Sequence, residues 1–317
     1  MDPALTSRAT EATALRRLVD RLPRGFRRQK LLTTLVRLRL VSPIQPLDFN
    51  GNARAWVDLR DAESRASFLS QSFWPEFPPM VAAFLRGGGD FFDVGANFGL
   101  VTFGTVPLML GSGTGFHLFE ANRRIIPVLE RSAWEWPGES FRVNHCCVTD
   151  QPGVSHHVLP DAAWGHGMIS DDGDPVPNLR LDDYVEAAGV SRIAFLKLDV
   201  EGWELRALTG ARNTLASGKV EAGFVEVSPP ALQRAGATSL ELLDLLSSLG
   251  FDSYFASLLD HEDPHALRWT RLPVNGTPLR FAPASPLPES FVQGDVLVTH
   301  RSTALAAALR NATETLP

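Results

Sequence analysis

The sequence predicts an α/β fold: a mostly parallel sheet with helices packed on both faces. Three observations carry that expectation. Short apolar runs alternate with helical segments from residue 91 to a late run at 295–299, the pattern of repeated strand–helix crossovers. A glycine turn, Gly95-Ala96-Asn97-Phe98-Gly99, joins the first of these strands, 91–94, to an apolar helical segment at 100–110. Four strands end on or next to a carboxylate: Asp93, Glu120, Asp199 and Glu226. Ligands of open parallel sheets bind outside the carboxyl ends of the strands, so these acids mark one sheet edge as the place for a site.

The elements follow in order. Leu15, Leu18, Val19 and Leu22, then Leu31, Leu35 and Leu38, recur at helical spacing with arginines between them, and Pro43 and Pro46 close this arm. Residues 47–49 and 53–59 flank Asn50-Gly51, a strong hairpin signal because both residues tolerate positive φ. Residues 62–86 read as helix with a break at 75–79, and Gly87-Gly88-Gly89 delivers the chain into the first central strand. Beyond it come a strand at 115–120, a helix at 123–136 with Pro127 in its first turn, and strands at 141–148 and 153–159. Residues 160–178, rich in Gly, Asp and Pro, read as a loop. A short helix at 181–188 precedes a buried strand at 193–199, a helix at 203–216, a strand at 220–227 and a helix at 240–249. Late strands at 251–257 and 295–299 are joined by a long loop.

The bulk properties bound the class. The chain has 317 residues, 44% apolar and 21% charged, enough for one sizeable core and an extension. We divide it into a basic helical arm and hairpin at 1–60, a main domain at 61–300 and a tail at 301–317. Residues 1–40 hold ten Arg or Lys against three Asp or Glu, although the whole chain carries −6. Such an arm can meet an acidic surface, nucleic acid or lipid, or serve as a solvated helical face; we expect no nucleic-acid partner. Basic residues interrupt any secretory core, and no apolar run reaches the ~20 residues of a bilayer span. Cys146 and Cys147 are adjacent, and a vicinal disulfide is strained, so two reduced, buried thiols and a cytoplasmic setting are expected.

The chemistry lies at the strand ends. A phosphate-binding turn needs G-x-G-x-x-G; here the spacing is G-x-N-x-G, with Asp93 two residues upstream to repel phosphate. That suits a cationic or amine-bearing ligand. Glu120 ends the next strand, where an acid takes both hydroxyls of a ribose, so an adenosine-type cofactor is expected. The stretch Lys197-Leu198-Asp199-Val200-Glu201-Gly202-Trp203-Glu204 sets a lysine in an apolar strand, where it must pair or snorkel. The acids after it raise each other's pKa unless a cation is present. They read as a metal or general-base site, or as helix caps with an exposed Glu204.

Taken together, Asp93-Val-Gly-Ala-Asn-Phe-Gly, Phe119-Glu120, Leu181-Asp182-Asp183 and Lys197-Leu-Asp-Val-Glu-Gly-Trp-Glu resemble the FkbM family of S-adenosylmethionine-dependent methyltransferases. The resemblance runs from about residue 68 to 256, with 294–299 similar to the family's closing strand. It implies a class I methyltransferase (Rossmann-like) sheet of seven strands, and methyl transfer to a hydroxyl of a sugar, glycosylated or polyketide-type natural product. It implies that Asp93, Gly95, Asn97 and Gly99 line the methionine part of the cofactor, that Glu120 holds the ribose, and that Asn144 to Cys147 (Asn144, Cys146 and Cys147 in particular) border the adenine. Ala121 stands where the family commonly has Pro, and Cys146-Cys147 where it has a small residue.

Asp199 and Glu226 end neighbouring strands, where related O-methyltransferases hold a divalent cation, which leaves room for Mg²⁺. His166, between two glycines of the 160–178 loop, is the candidate base, with Asp199 and Glu201 as further catalytic candidates. The hairpin at 47–59, the loops at 160–178 and 258–290, and Trp74, Trp164 and Trp269 are expected to shape the acceptor pocket. A small-molecule hydroxyl acceptor is the expected partner, and a homodimer is left open. Two other readings compete: a nicotinamide-dependent oxidoreductase, disfavoured by Asn97 and the missing G-x-G-x-x-G, and a non-catalytic binding module.

Overall fold

Phe91 and Phe92 are both fully buried yet belong to different hydrophobic layers, because successive side chains of a strand point to opposite faces. Phe195 and Leu196 divide in the same way, and every residue of their strand is buried. A strand covered on both faces belongs inside a parallel sheet. The structure, a computed structural model, describes residues 15, 17–19, 21, 26–151, 153, 156–160, 167–169, 174–258, 269–288 and 291–314.

In chain order, helix α1 (Phe26–Arg37) and the hairpin β1 (Ile44–Phe49) and β2 (Ala53–Asp58) precede helices α2 (Ala62–Ser70) and α3 (Phe77–Leu85). Then come β3 (Asp90–Val94), α4 (Leu100–Thr105), β4 (Gly115–Glu120), α5 (Ile126–Ala133) and β5 (Ser140–His145). Short strands β6 (Cys147–Val148), β7 (His156–Pro160), β8 (Gly167–Ile169), β9 (Asp174–Val176) and β10 (Asn178–Leu179) lead to α6 (Leu181–Ala187) and β11 (Ile193–Leu198). Helices α7 (Glu204–Thr209) and α8 (Arg212–Ala216), strand β12 (Val220–Val227), and helices α9 (Pro229–Arg234) and α10 (Ser239–Ser248) follow. The chain closes with β13 (Phe251–Leu258), β14 (Thr270–Val274), β15 (Thr277–Pro283), β16 (Gly294–His300) and α11 (Ala304–Glu314).

The main sheet runs β14-β15-β13-β16-β12-β11-β3-β4-β5. Its members from β12 to β5 are parallel, and β16 is antiparallel to both β12 and β13. After β3 the chain builds outward through β4 and β5, then returns to lay β11 on the other side of β3. That reversal opens a crevice above the carboxyl ends of β3 and β11.

The α/β architecture agrees with the expectation, and the strand number does not. The sheet has nine strands rather than seven, because part of the expected 258–290 loop forms the hairpin β14–β15 on the far edge. Its turn is Asn275-Gly276, the same pair that turns the first hairpin, but Pro273, Pro278 and Pro283 hide the strands in the sequence. Prolines are tolerated here because Pro273 and Pro278 face each other at the sheet's edge. Pro46 likewise lies within β1, opposite Trp56, instead of ending the helical arm. The expected loop at 160–178 contains β8 and β9, which flank β7 in a separate three-stranded sheet. The expected helix at 203–216 is divided at Gly210, where a Cβ would stand 2.0 Å from the Thr149 carbonyl oxygen.

Phe195 is fully buried among the rings of Phe84, Phe91 and Phe224, at centroid distances of 4.9, 6.2 and 5.3 Å. Phe195→Ala is expected to lower the unfolding free energy by about 3–5 kcal/mol in denaturant titration. A loss below about 1 kcal/mol would mean that this aromatic layer does not hold the sheet.

Candidate active site

The crevice above β3 and β11 encloses about 330 Å³. Its floor is the glycine turn: Gly95, Ala96, Asn97 and Phe98. Around it stand Glu120, Cys146, Cys147, Asp199, Glu201 and Glu226, and its outer wall comes from Glu63, Ser64, Phe73 and Trp74.

The turn is built by close backbone approach. Gly95 has φ +75°, and a Cβ there would lie 1.7 Å from the Asp199 carbonyl oxygen, so only glycine lets the β3 turn meet the β11 loop. The N–H groups of Gly95 and Ala96 both donate to the Phe119 carbonyl at 3.0 Å. Asn97, at φ +49°, turns its own N–H onto Glu120 Oε2 at 2.8 Å, while the Asn122 N–H donates to Oε1 at 2.7 Å. Burial pushes the Glu120 carboxyl above its usual range, and those two donors pull it back. Asn97 Oδ1 is buried with no hydrogen-bond partner among the described residues, an acceptor waiting for a donor.

Beneath the turn lies Lys197. It sits directly opposite Asp93 in the β11–β3 register, and its ammonium donates to the Gly95 carbonyl at 3.1 Å. Asp199 Oδ2 is 3.1 Å away and Asp93 Oδ1 3.6 Å. Burial alone would strip the proton from such a lysine; Asp199 and then Asp93 outweigh it and hold the ammonium charged. Burial pushes the Asp93 carboxyl up, against Lys197 and the Thr102 hydroxyl, which donates at 2.6 Å.

The acids beyond this pair press on one another. Glu226 and Asp295 face each other across β12 and β16. Burial, then Asp199, pushes Glu226 up to about 8, although the Gln293 amide donates to its Oε1 at 2.8 Å. Burial and Asp199 push Asp295 up to about 6, with Lys197 opposing. Glu204 is buried, not exposed, and accepts the Val200 and Gly202 N–H groups at 2.9 and 3.2 Å. It therefore holds the loop that carries Glu201, whose φ of +55° is left-handed.

Of the residues singled out in the sequence, Gly95, Asn97, Glu120, Cys146, Cys147, Asp199, Glu201 and Glu226 line the crevice. Three others do not. Asp93 lies under the turn on Lys197 and Thr102. Gly99 starts α4, with Phe103 where a side chain would go. Asn144 turns away, donating its amide to the Leu118 carbonyl at 3.0 Å. His166 and Trp164 lie outside the described residues, and Trp269 packs elsewhere, under Arg280. None of the lining residues comes from the hairpin at 47–59; the wall expected there is supplied by α2 and the turn after it. Cys146 and Cys147 are free, buried thiols. Sequence reasoning missed Gln293, which only the β12–β16 register brings to the site, and Glu63, Ser64 and Phe73, which precede the sheet and carry no motif; Trp74 beside them is one of the residues expected at the pocket.

A divalent cation does not suit the Asp199–Glu226 pair. Lys197 already occupies Asp199, the Gln293 amide occupies Glu226, and no group of three or more His, Cys, Asp or Glu among the described residues is arranged to hold a metal. The set is completed by an ammonium from its own chain instead.

Comparison with known proteins bears on the family. The sequence profile of the Methyltransferase FkbM domain matches residues 93–253. The hexuronic acid methyltransferase AglP of Haloferax volcanii is 27% identical over 172 residues, covering 54% of this chain and 66% of that protein's length. The crystal structure of methyltransferase FkbM from Methylobacillus flagellatus is 20% identical, covers 61% of this chain and 43% of its own, and superposes with a TM-score of 0.36. Aeropyrum pernix fibrillarin, solved with bound S-adenosylmethionine, covers 64% of this chain and 74% of its own at 12% identity and a TM-score of 0.32. On the domain match, which spans the glycine turn, Glu120 and the Lys197–Glu204 stretch, the chain belongs to the FkbM methyltransferase family.

Proposed function

We propose that the protein transfers a methyl group from S-adenosylmethionine to a hydroxyl oxygen of a sugar or glycosylated natural product. One observation carries the reading: among the described residues, five carboxyl side chains, Glu63, Glu120, Asp199, Glu201 and Glu226, line the crevice against a single ammonium, Lys197. That balance favours a ligand bearing positive charge and repels a dinucleotide's phosphates. Membership of the FkbM family supports methyl transfer, and the hexuronic acid methyltransferase relative supports a sugar acceptor. The acidic wall favours an acceptor that is itself uncharged.

The residues fit the cofactor. Glu120 is fixed by two backbone donors where ribose hydroxyls would reach it, and the unpartnered Asn97 Oδ1 suits an ammonium donor. Cys146 and Cys147 offer an apolar wall for adenine. Burial pushes both thiols up, Cys147 to about 12, so they pack and do not attack. Bound S-adenosylmethionine supplies a methyl already activated by its sulfonium. What remains for the protein is to align the hydroxyl and take its proton. Glu226 is suited to that role, since a base with a pKa near the working pH is the most effective. Gln293 anchors its Oε1 and leaves Oε2 for the hydroxyl. Trp74, at the mouth and stacked on Phe73 with centroids 5.4 Å apart, presents a ring face to a sugar.

The direct test is incubation with methyl-labelled S-adenosylmethionine and a panel of neutral glycosides. Label is expected in an alkali-stable ether, and no transfer, or only an alkali-labile ester, would refute the reading. Glu120→Ala is expected to weaken cofactor binding by about 1.5–3 kcal/mol in calorimetry; unchanged affinity would take Glu120 out of the site.

Glu226 also makes a pH prediction. Its proton is held more tightly in the folded chain than in the unfolded one, so the folded state binds more protons between the usual carboxylate range and about 8. Stability contributed by this group is full below that window and is lost as pH rises through it. Glu226→Gln is therefore expected to raise Tm relative to the parent above pH 8, with the difference vanishing in acid. The same substitution is expected to lower kcat by about 10²–10⁴-fold. Near-normal kcat with an unchanged pH profile would return the base to His166, Asp199 or Glu201.

A further inference from the structure

Residues 15–42 hold eight arginines and one lysine against a single aspartate, Asp20, and no glutamate. Arg17, Arg21, Arg27, Lys30, Arg37 and Arg39 are exposed. Leucines are exposed among them: Leu18 at 48%, Leu38 at 62% and Leu40 at 67%. These lie on the helical arm, away from the crevice, and nothing in the methyl-transfer reading uses them.

The end of α1 shows that the exposure is built into the backbone. Leu40 N–H donates to the Leu35 carbonyl at 2.9 Å and Arg39 N–H to the Val36 carbonyl at 3.0 Å, closing the helix with Arg39 left-handed at φ +57°. Glycine is the usual residue there, and the apolar residue after it usually folds back onto the helix. Here an arginine takes the left-handed position, and Leu40 points into solvent instead. The run Arg37-Leu38-Arg39-Leu40 thus projects cations and apolar side chains together. It borders a cleft of about 1520 Å³ lined by Leu18, Val36, Leu40 and Arg60 among others.

We propose that this face docks the protein onto an anionic membrane surface, the arginines meeting lipid headgroups and the leucines entering the headgroup–acyl boundary. Charge and apolarity at one place are what an interfacial anchor needs. A nucleic-acid backbone would be served by the arginines alone and would leave the leucines exposed. No helix among the described residues is long and apolar enough to cross a membrane, so the contact is a surface one. The proposal stands apart from the chemistry of the crevice.

The test is co-sedimentation of the full chain with lipid vesicles. Binding to phosphatidylcholine vesicles containing about 30% phosphatidylglycerol is expected to exceed binding to pure phosphatidylcholine by about tenfold or more, and to fall as salt is added. R37Q/R39Q is expected to weaken it by about 25-fold, each arginine near such a surface being worth about fivefold. L38S/L40S is expected to weaken it while preserving the salt dependence, with the Tm of both variants confirming the fold. Failure to bind the anionic vesicles would overturn the proposal, as would undiminished binding by both variants. Retention on heparin without vesicle binding would overturn it in favour of a nucleic-acid partner. Self-association abolished by R37Q/R39Q, without vesicle binding, would overturn it in favour of a second copy of the chain.

Discussion

The ammonium of Lys197 is the interaction on which the crevice depends. It is buried in the middle of the sheet, between Asp93 beneath the turn and Asp199 at the strand end, and it also ties down the Gly95 carbonyl. A buried ion pair is not stabilising by itself, because desolvation offsets most of the attraction. Its value here is positional. One cation fixes the ends of two adjacent strands and sets Asp199 at the crevice, where the carboxylates outnumber it among the described lining residues. The excess of negative charge, and so the kind of ligand the crevice accepts, follows from that one placement.

The same charge balance explains why the acids differ. Glu120 is met by two backbone donors and Asp199 by Lys197, whereas Glu226 has a neutral amide and a carboxylate across the sheet from it. Burial pushes both Glu120 and Glu226 up; the backbone donors oppose it at Glu120, whereas the Asp199 charge adds to it at Glu226. Residues of identical chemistry are thereby separated into anchor and candidate base by the strands they end.

Much of this was legible in the sequence because the informative residues are local to strand ends. The glycine turn, the four strand-end acids and the lysine inside an apolar strand all announce themselves at short spacing, and they define both the sheet and its binding edge. What was not legible depends on register. Gln293 and Asp295 come to the site only because β16 runs antiparallel beside β12, and no local pattern shows that pairing. Asn144, expected beside the adenine, is absent from the crevice lining, its amide bonded to the Leu118 carbonyl. The outer hairpin was hidden by its prolines, and Glu63 and Ser64 of the wall lie in α2, which packs beside the site without any motif of its own. The sequence requires Lys197 to pair or snorkel without naming its partner; the register sets it on Asp93 and Asp199, while the Gln293 amide meets Glu226.

The most direct test of this account removes that cation. Lys197→Met leaves Asp93 buried without its partner, and denaturant titration is expected to show a loss of about 3–5 kcal/mol, the cost of breaking a buried pair. Asp93→Asn added to the same chain is expected to recover a large part of it, since the uncompensated charge is then gone. A Lys197→Met protein that loses less than about 1 kcal/mol, or that Asp93→Asn does not rescue, would contradict the central role given to this ion pair.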